Sequence, residues 1–154
     1  EVILAIGINP NKPPLFSIDE RKRHAETLVA RLLKERPQGA RVRVEAYQGL
    51  TIDFARKVGA AAIVRGIRNV TDLASECQLA ITNRQVAGVE TVFIVTGETF
   101  AYVSSSLIKQ IAAFGGDLKR LDSLVPPEVI TALEEKRRDP RNPLGRMAID
   151  GAAD

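Results

Sequence analysis

Along most of the chain, short apolar runs alternate with longer stretches in which apolar residues recur at helical spacing. Short runs rich in Val, Ile and Ala, typical of buried strands, occupy residues 2–6, 42–46, 61–64 and 91–96. Stretches between and after these runs predict helices, over residues 17–36, 50–58, 72–87, 107–114 and 127–136. The first helix begins at Ser17, where Glu20 completes a capping box.

The order of these elements, β-α-β-α-β-α-β-α-α, predicts the fold class. Strands that alternate with helices form a parallel sheet with right-handed crossovers and helices on both faces. We therefore expect an α/β protein with a doubly wound parallel sheet over residues 1–137. Residues 138–154 carry Arg, Pro, Gly, Asp and Ala without periodicity, which predicts a disordered tail.

Composition and charge limit the functions that this protein could have. A length of 154 residues with 45% hydrophobic residues suits one domain. The net charge of +3, from basic residues scattered among acids, argues against nucleic-acid binding. No apolar run approaches the roughly 20 residues of a membrane span. The single Cys77 excludes an internal disulfide and fits a reducing cytoplasm, and one distant histidine, His24, cannot build a zinc site with it. We predict no metal-ligating residues.

The stretch A-A-I-V-R-G-I-R-N, residues 61–69, carries the strongest chemical signal. Its arginines, Arg65 and Arg68, follow an apolar strand, and open α/β sheets bind ligands at the carboxyl ends of their strands. Arginine is favoured for phosphate recognition, so a phosphate-rich substrate is one interpretation. The alternative is that both arginines pair with nearby acids such as Asp72 and Glu76, in weak surface ion pairs. These residues alone leave both interpretations open.

The run V-S-S-S-L-I-K, residues 103–109, places hydroxyls and backbone amides at a helix N-terminus, where the dipole favours an anion. Ser104 as an ordinary N-cap is the alternative. Loops after the predicted strands would bring to the same edge Asn9, Lys12, Thr51, Thr99 and the two arginines. Neither a P-loop lysine motif nor G-x-G-x-x-G after a strand occurs.

Together these segments resemble the bacterial phosphopantetheine adenylyltransferases, of the nucleotidylyltransferase superfamily. The similarity runs in order through V-I-L-A-I, N-P-N-K-P-P-L-F-S-I-D-E-R, G-L-T-I-D-F-A-R, I-V-R-G-I-R-N-V-T-D-L-A-S-E-C-Q-L-A-I-T-N-R, T-V-F-I-V-T and F-A-Y-V-S-S-S-L-I-K to G-G-D. The resemblance implies a Rossmann-like fold, a homohexamer, and transfer of adenylyl from ATP, with Mg²⁺, to 4′-phosphopantetheine in coenzyme A biosynthesis. The products would be dephospho-coenzyme A and pyrophosphate.

The resemblance also assigns roles to individual positions. Catalytic roles fall on Lys12 and Arg68. Substrate-binding positions are Lys12, Thr51 and Arg65. Positions that match the ATP-binding residues are Gly66, Ile67, Arg68, Glu76, Phe100, Ala101, Tyr102, Val103, Ser104, Ser105 and Ser106.

One departure from the family is large. Its T-x-G-H motif, on a loop after the first strand, would lie before Glu1, which stands directly against an apolar run. We therefore expect a segment that lacks the first strand and helix and is nearly inactive by itself, since losing one preorganised donor costs about 10² to 10³ in rate. Leu73 and Ala74 also depart from the family.

The alternatives are a non-catalytic nucleotide-binding domain, or a related nucleotidylyltransferase with another acceptor, such as nicotinamide mononucleotide or glycerol phosphate.

Overall fold

A computed structural model describes residues 1–8, 14–37 and 39–150. The chain divides into two compact units, one formed by Glu1–Ala46 with Val103–Asp154 and the other by Tyr47–Tyr102. In chain order the elements are β1 (Val2–Gly7), α1 (Ile18–Glu35), β2 (Val42–Tyr47), α2 (Thr51–Lys57), β3 (Ala62–Ile67), α3 (Val70–Ala87), β4 (Glu90–Val95), α4 (Glu98–Ala101), α5 (Ser105–Phe114), a 3₁₀ helix (Leu118–Leu121), α6 (Pro127–Arg138) and α7 (Pro143–Asp150).

Alternation of strands and helices confirms the predicted α/β class. In the described residues the strands pair as β1 with β2 and as β3 with β4. The β3–β4 pair is parallel, in a register that runs from Ala62 opposite Glu90 to Ile67 opposite Val95. A parallel pair requires a crossover, and α3 supplies it.

The hydrophobic core of the first unit is built by its C-terminal helices. Apolar residues of α5, the 3₁₀ helix, α6 and α7 form one buried cluster: Ala112, Ala113, Leu118, Leu121, Ile130, Leu133 and Leu144. Helix α1 begins with the predicted capping box, in which the Ser17 hydroxyl accepts from Glu20 N at 3.2 Å and the Glu20 carboxylate accepts from Ser17 N at 2.7 Å.

Helix α3, the long helix of the second unit, begins with a side-chain N-cap. The Asn69 side chain accepts a hydrogen bond from Asp72 N at 2.8 Å, so α3 starts at Val70, two residues before the predicted start. The helix ends as predicted at Gly88, whose φ of 67° is left-handed and therefore suits glycine.

Other predictions need correction. The predicted disordered tail is wrong over residues 143–150, which form α7, because Leu144 is 1% exposed in the core of the first unit. The short helix α4 and the 3₁₀ helix were not predicted. Gly115 ends α5 with an extended backbone, and it is required for space, since an added Cβ would lie 2.3 Å from the Ile111 carbonyl oxygen. Among the described residues, no helix is both long and apolar enough to cross a membrane.

Candidate substrate-binding site

Strand β3 continues through residues that were predicted to form a loop. Arg65, Gly66 and Ile67 all belong to the strand, and only Arg68 lies beyond it. The reason is the ladder to β4, which pairs Ile67 with Val95 and is extended by the hydrogen bond from Thr96 N to the Ile67 carbonyl at 2.9 Å. This pairing outweighs the weak strand preference of glycine. Gly66 and Ile67 therefore lie in the sheet, and Ile67 is buried.

Arg65 forms a bidentate ion pair with Glu76 of α3. Its Nε donates to Glu76 Oε2 at 2.8 Å and its Nη2 donates to Oε1 at 2.5 Å. The hydrogen bond to Glu76 is the main cause that raises the pKa of Arg65 above its ordinary value, and the charges of Glu76 and Tyr47 act in the same direction. Arginine is always protonated in proteins, so Arg65 is a cation, and its two hydrogen bonds to Glu76 fix the plane of its guanidinium.

Arg68 forms a similar pair with Asp72, in the first turn of α3. Its Nε and Nη2 donate to the two carboxylate oxygens at 2.8 and 3.2 Å, and its backbone N–H donates to Oδ2 at 3.3 Å. The side-chain hydrogen bond from Arg68 is the main cause that lowers the pKa of Asp72. The ion pairs that were weighed as the alternative for both arginines are therefore present in the structure.

The guanidiniums of Arg65 and Arg68 are both held in place by a carboxylate and remain partly exposed. An arginine has five N–H groups in a fixed fork, and each of these two spends some of them on a carboxylate. Their side chains remain 48% and 39% exposed, respectively. The arrangement can bind phosphate oxygens, and its fixed geometry lowers the entropy lost on binding.

Thr51 lies beside an aromatic pair that sequence reasoning missed. Its hydroxyl is 2.7 Å from the Tyr47 hydroxyl, and the Tyr47 ring stacks on Phe54 with centroids 4.7 Å apart. Tyr47 ends β2 while Thr51 begins α2, so the hydrogen bond spans the loop between them. The four-residue spacing of Tyr47 and Thr51 across a Gly-containing turn is the signal that could have found this contact.

The predicted ATP-binding segment 100–106 crosses from one unit to the other. In the second unit, Phe100 and Tyr102 are 59% and 58% exposed, and Phe100 and Ala101 belong to α4. The part of the segment that belongs to the first unit begins at Val103, which is half-buried.

The serine run begins α5 as the sequence predicted. The Ser104 side chain accepts from Leu107 N at 3.1 Å, which makes Ser104 an N-cap. Ser105 and Ser106 are exposed in the first turn. Lys12 and Asn9 lie outside the described residues.

A cavity of about 630 Å³ lies in the first unit. It joins the carboxyl end of β1, at Gly7, to the first turns of α5, at Ser105 and Lys109. Its polar lining includes Arg21, whose Nη1 donates to the Gly7 carbonyl at 3.2 Å, and the other walls are mainly apolar. Sequence reasoning missed this cavity. In the described part of the chain, no group of three or more His, Cys, Asp or Glu side chains could hold a metal ion.

Comparison with known proteins places this sequence in a family. The Cytidylyltransferase-like family model matches residues 1–111. A phosphopantetheine adenylyltransferase of Heliobacterium modesticaldum is 44% identical over 140 residues, which cover 90% of this chain and 77% of that protein. The chain belongs to the phosphopantetheine adenylyltransferase family.

Further members of the family show similar identity. The phosphopantetheine adenylyltransferase of Clostridium perfringens is 44% identical over 137 residues, 88% of this chain and 77% of that protein. That of Frankia casuarinae is 42% identical over the same length, 88% of this chain and 80% of that protein. Membership confirms the resemblance drawn from the sequence motifs and the assignment to the nucleotidyltransferase enzymes.

Proposed function

We propose that this protein transfers the adenylyl group of ATP to 4′-phosphopantetheine, giving dephospho-coenzyme A and pyrophosphate. The observation that carries the proposal is the 44% identity to enzymes of that name over 90% of the chain. The paired arginines of β3 and its following turn support it, because both substrates are phosphate esters or anhydrides.

The reaction is attack of the 4′-phosphate on the α-phosphorus of ATP. A bond forms between an acceptor phosphate oxygen and the α-phosphorus, and the bond from that phosphorus to the pyrophosphate oxygen breaks. Chemistry of this kind needs alignment of two anions and charge neutralisation, not a covalent nucleophile. The guanidiniums of Arg65 and Arg68 suit those needs, and so, within the first unit, does the helix N-terminus at Ser104.

In this proposal, different residues of the site bind the two substrates. Phosphopantetheine is bound by Lys12, Thr51 and Arg65, and Lys12 and Arg68 act on the transferring phosphoryl group. The nucleotide lies along Gly66, Ile67 and Arg68. It also reaches the remaining predicted positions, which are Glu76, Phe100, Ala101, Tyr102, Val103, Ser104, Ser105 and Ser106. We infer that Mg²⁺ enters as part of the MgATP substrate, held mainly by phosphates and water, which calls for few protein ligands.

Location and assembly complete the proposal. We infer a cytoplasmic enzyme that acts on small molecules and not on nucleic acid or membranes, because its charge is small and its one cysteine suits a reducing compartment. We also infer a homohexamer. Helix α3 supports an interface, since it exposes apolar side chains such as Leu73, Leu79 and Ile81.

Acceptor choice tests the proposal. Pyrophosphate release by the full-length gene product would be measured with ATP and, in turn, 4′-phosphopantetheine, nicotinamide mononucleotide and glycerol 3-phosphate. We expect release with 4′-phosphopantetheine alone. Release with one of the other acceptors would assign a related nucleotidylyltransferase activity, and nucleotide binding without release from any acceptor would indicate a non-catalytic domain.

A further inference from the structure

Two side-chain hydroxyl groups are hydrogen-bonded to each other at the surface of the second unit. The Tyr47 Oη lies 2.7 Å from the Thr51 Oγ1, and the contact is exposed to solvent. Tyr47 is the last residue of β2 and Thr51 is the first residue of α2. The family resemblance gives a role to Thr51 and none to Tyr47.

The Tyr47 side chain is fixed at two points. Its ring stacks on Phe54, three residues after Thr51 in α2, with ring centroids 4.7 Å apart and ring planes 14° apart. Its hydroxyl is fixed by the hydrogen bond with Thr51. The side chain therefore has little freedom left to lose when a ligand binds to its hydroxyl.

The number of hydrogens in the pair determines what it can offer to a ligand. A hydroxyl group has one hydrogen to donate and two lone pairs that accept. Only one of the two hydrogens lies between the oxygens, and within the described residues no other hydrogen bond engages either hydroxyl. The pair can therefore donate one hydrogen bond outward and accept another, which suits a ligand that carries a carbonyl beside a hydroxyl.

Arg65 relates this pair to the acceptor phosphate. The hydrogen bond to Glu76 is the main cause of the raised pKa of Arg65, and the charge of Tyr47 adds to it. The Tyr47 oxygen is therefore within electrostatic range of the guanidinium that the proposed function assigns to the phosphate of 4′-phosphopantetheine. In that substrate, the hydroxyl and the first amide of the pantoyl group follow the phosphate ester within a few bonds.

We propose that the Tyr47 and Thr51 hydroxyls together bind the hydroxyl and amide of the pantoyl group, which makes Tyr47 a specificity residue for the acceptor. The inference rests on the proposed function and deepens it. Nicotinamide mononucleotide and glycerol phosphate also bring a phosphate to Arg65, but they lack the pantoyl group. A site whose polar groups are left without their partners discriminates against such acceptors.

Hydroxyl deletions in the full-length gene product test this contact. Tyr47→Phe keeps the stacked ring, Thr51→Val keeps the size of the side chain, and each removes one hydroxyl. We expect each to raise KM for 4′-phosphopantetheine about three- to tenfold, as for loss of a neutral hydrogen bond, without changing KM for ATP. The double variant should lose no more than the single variants, because each hydroxyl acts through the other. Thr51→Ser keeps the hydroxyl and should retain the wild-type KM.

Thr131→Val is the matched control. It removes an exposed hydroxyl from α6, where Thr131 Oγ1 donates to the Pro127 carbonyl at 3.2 Å, and it should leave both KM values unchanged. Thermal unfolding of every variant identifies any loss of fold. If Tyr47→Phe does not fold, Thr51→Val and Thr51→Ser test the same contact.

A competitive inhibitor separates the pantoyl contact from the phosphate contact. Neopentyl phosphate keeps the phosphate ester and the branched carbon of the pantoyl group but has neither its hydroxyl nor its amide. We expect it to inhibit wild type and Tyr47→Phe with equal inhibition constants.

Three results would overturn the inference. These are an unchanged KM for 4′-phosphopantetheine in the folded hydroxyl-deletion variants, additive losses in the double variant, or an equal weakening of neopentyl phosphate and 4′-phosphopantetheine. Lower stability with an unchanged KM would show that the hydrogen bond only closes the turn between β2 and α2. A wild-type protein that makes no dephospho-coenzyme A would instead contradict the proposed function, and this inference with it.

Discussion

Lys136, near the end of α6, reaches Glu20 in the first turn of α1, with Nζ 2.7 Å from Oε1. Glu20 serves the capping box of Ser17 with its other oxygen, Oε2. One carboxylate therefore joins the start of α1 to the end of α6. Arg31 and Glu128 make a second link between the same helices at 2.8 Å.

This link predicts how the stability of the protein depends on pH. The hydrogen bond from Lys136 is the main cause that lowers the pKa of Glu20, and the bonds to Ser17 also lower it. A lowered folded-state pKa gives stability that is fully present above the ordinary glutamate pKa of about 4.3 and is lost as pH falls through the folded-state value. Glu20→Gln keeps a side chain suited to the capping box but removes the charge.

We therefore expect the free energy of unfolding of Glu20→Gln to fall less than that of wild type between pH 6 and pH 3. Urea unfolding at a series of pH values measures this difference. Glu134→Gln, at a residue whose side chain is 44% exposed and pairs with Arg138 within α6, is the control. Parallel curves for wild type and Glu20→Gln would show that the Lys136 contact contributes nothing to the pH dependence.

Arg65 and Arg68 should affect different substrates. In the full-length gene product we expect Arg65→Ala to weaken the use of phosphopantetheine and Arg68→Ala to weaken the use of ATP. Each loss should be about 2 to 3 kcal/mol, the value of a charge-assisted contact. Initial rates with each substrate varied in turn would measure the two effects. Wild-type kinetics in both variants would remove both arginines from the site.

Helix α7 should contribute to stability, although its composition predicted disorder. Leu144 is 1% exposed, so Leu144→Ala should lower the free energy of unfolding by about 2 to 5 kcal/mol. Leu32→Ala, at a position 53% exposed, is the matched control with a small expected effect. Chemical denaturation compares them. Equal stability of Leu144→Ala and wild type would contradict the docking of α7.

The interface proposed for α3 has its own test. Leu73 is 41% exposed and the helix is apolar on more than one side. Leu73→Glu should convert the proposed hexamer of the full-length gene product into a smaller, still folded species, because a buried unpaired charge is costly. Light scattering gives the mass and circular dichroism the fold. An unchanged hexamer would exclude Leu73 from the interface.

Local signals in the sequence were sufficient for much of this architecture. The Ser17 capping box and the end of α3 at Gly88 depend on residues within one turn, and both occur as predicted. Ser104, for which capping was one of two interpretations, is an N-cap. The length of β3 depends on its pairing with β4, some 28 positions along in the register of Ala62 with Glu90, and this pairing carries the strand past Gly66. Periodicity within one segment cannot report such a partner.

In the candidate site too, contacts between residues far apart in the sequence were not predicted. Motif resemblance identified Arg65 and Glu76 but assigned them to different substrates, whereas their contact joins residues eleven positions apart across β3 and α3. The contact between Tyr47 and Thr51 was missed although only four positions separate them, because their spacing indicates a contact only if the intervening loop turns back on itself. Leu144 lies in a segment of disorder-prone composition, and only packing in the core makes it helical.

Labelled phosphorus tests directly whether this protein transfers the adenylyl group of ATP to 4′-phosphopantetheine. The full-length gene product would be incubated with 4′-phosphopantetheine, Mg²⁺ and ATP labelled at either the α- or the γ-phosphorus, and the products separated. We expect α-label in dephospho-coenzyme A and γ-label in pyrophosphate. Transfer of γ-label to the acceptor, or no transfer of either label, would contradict this expectation.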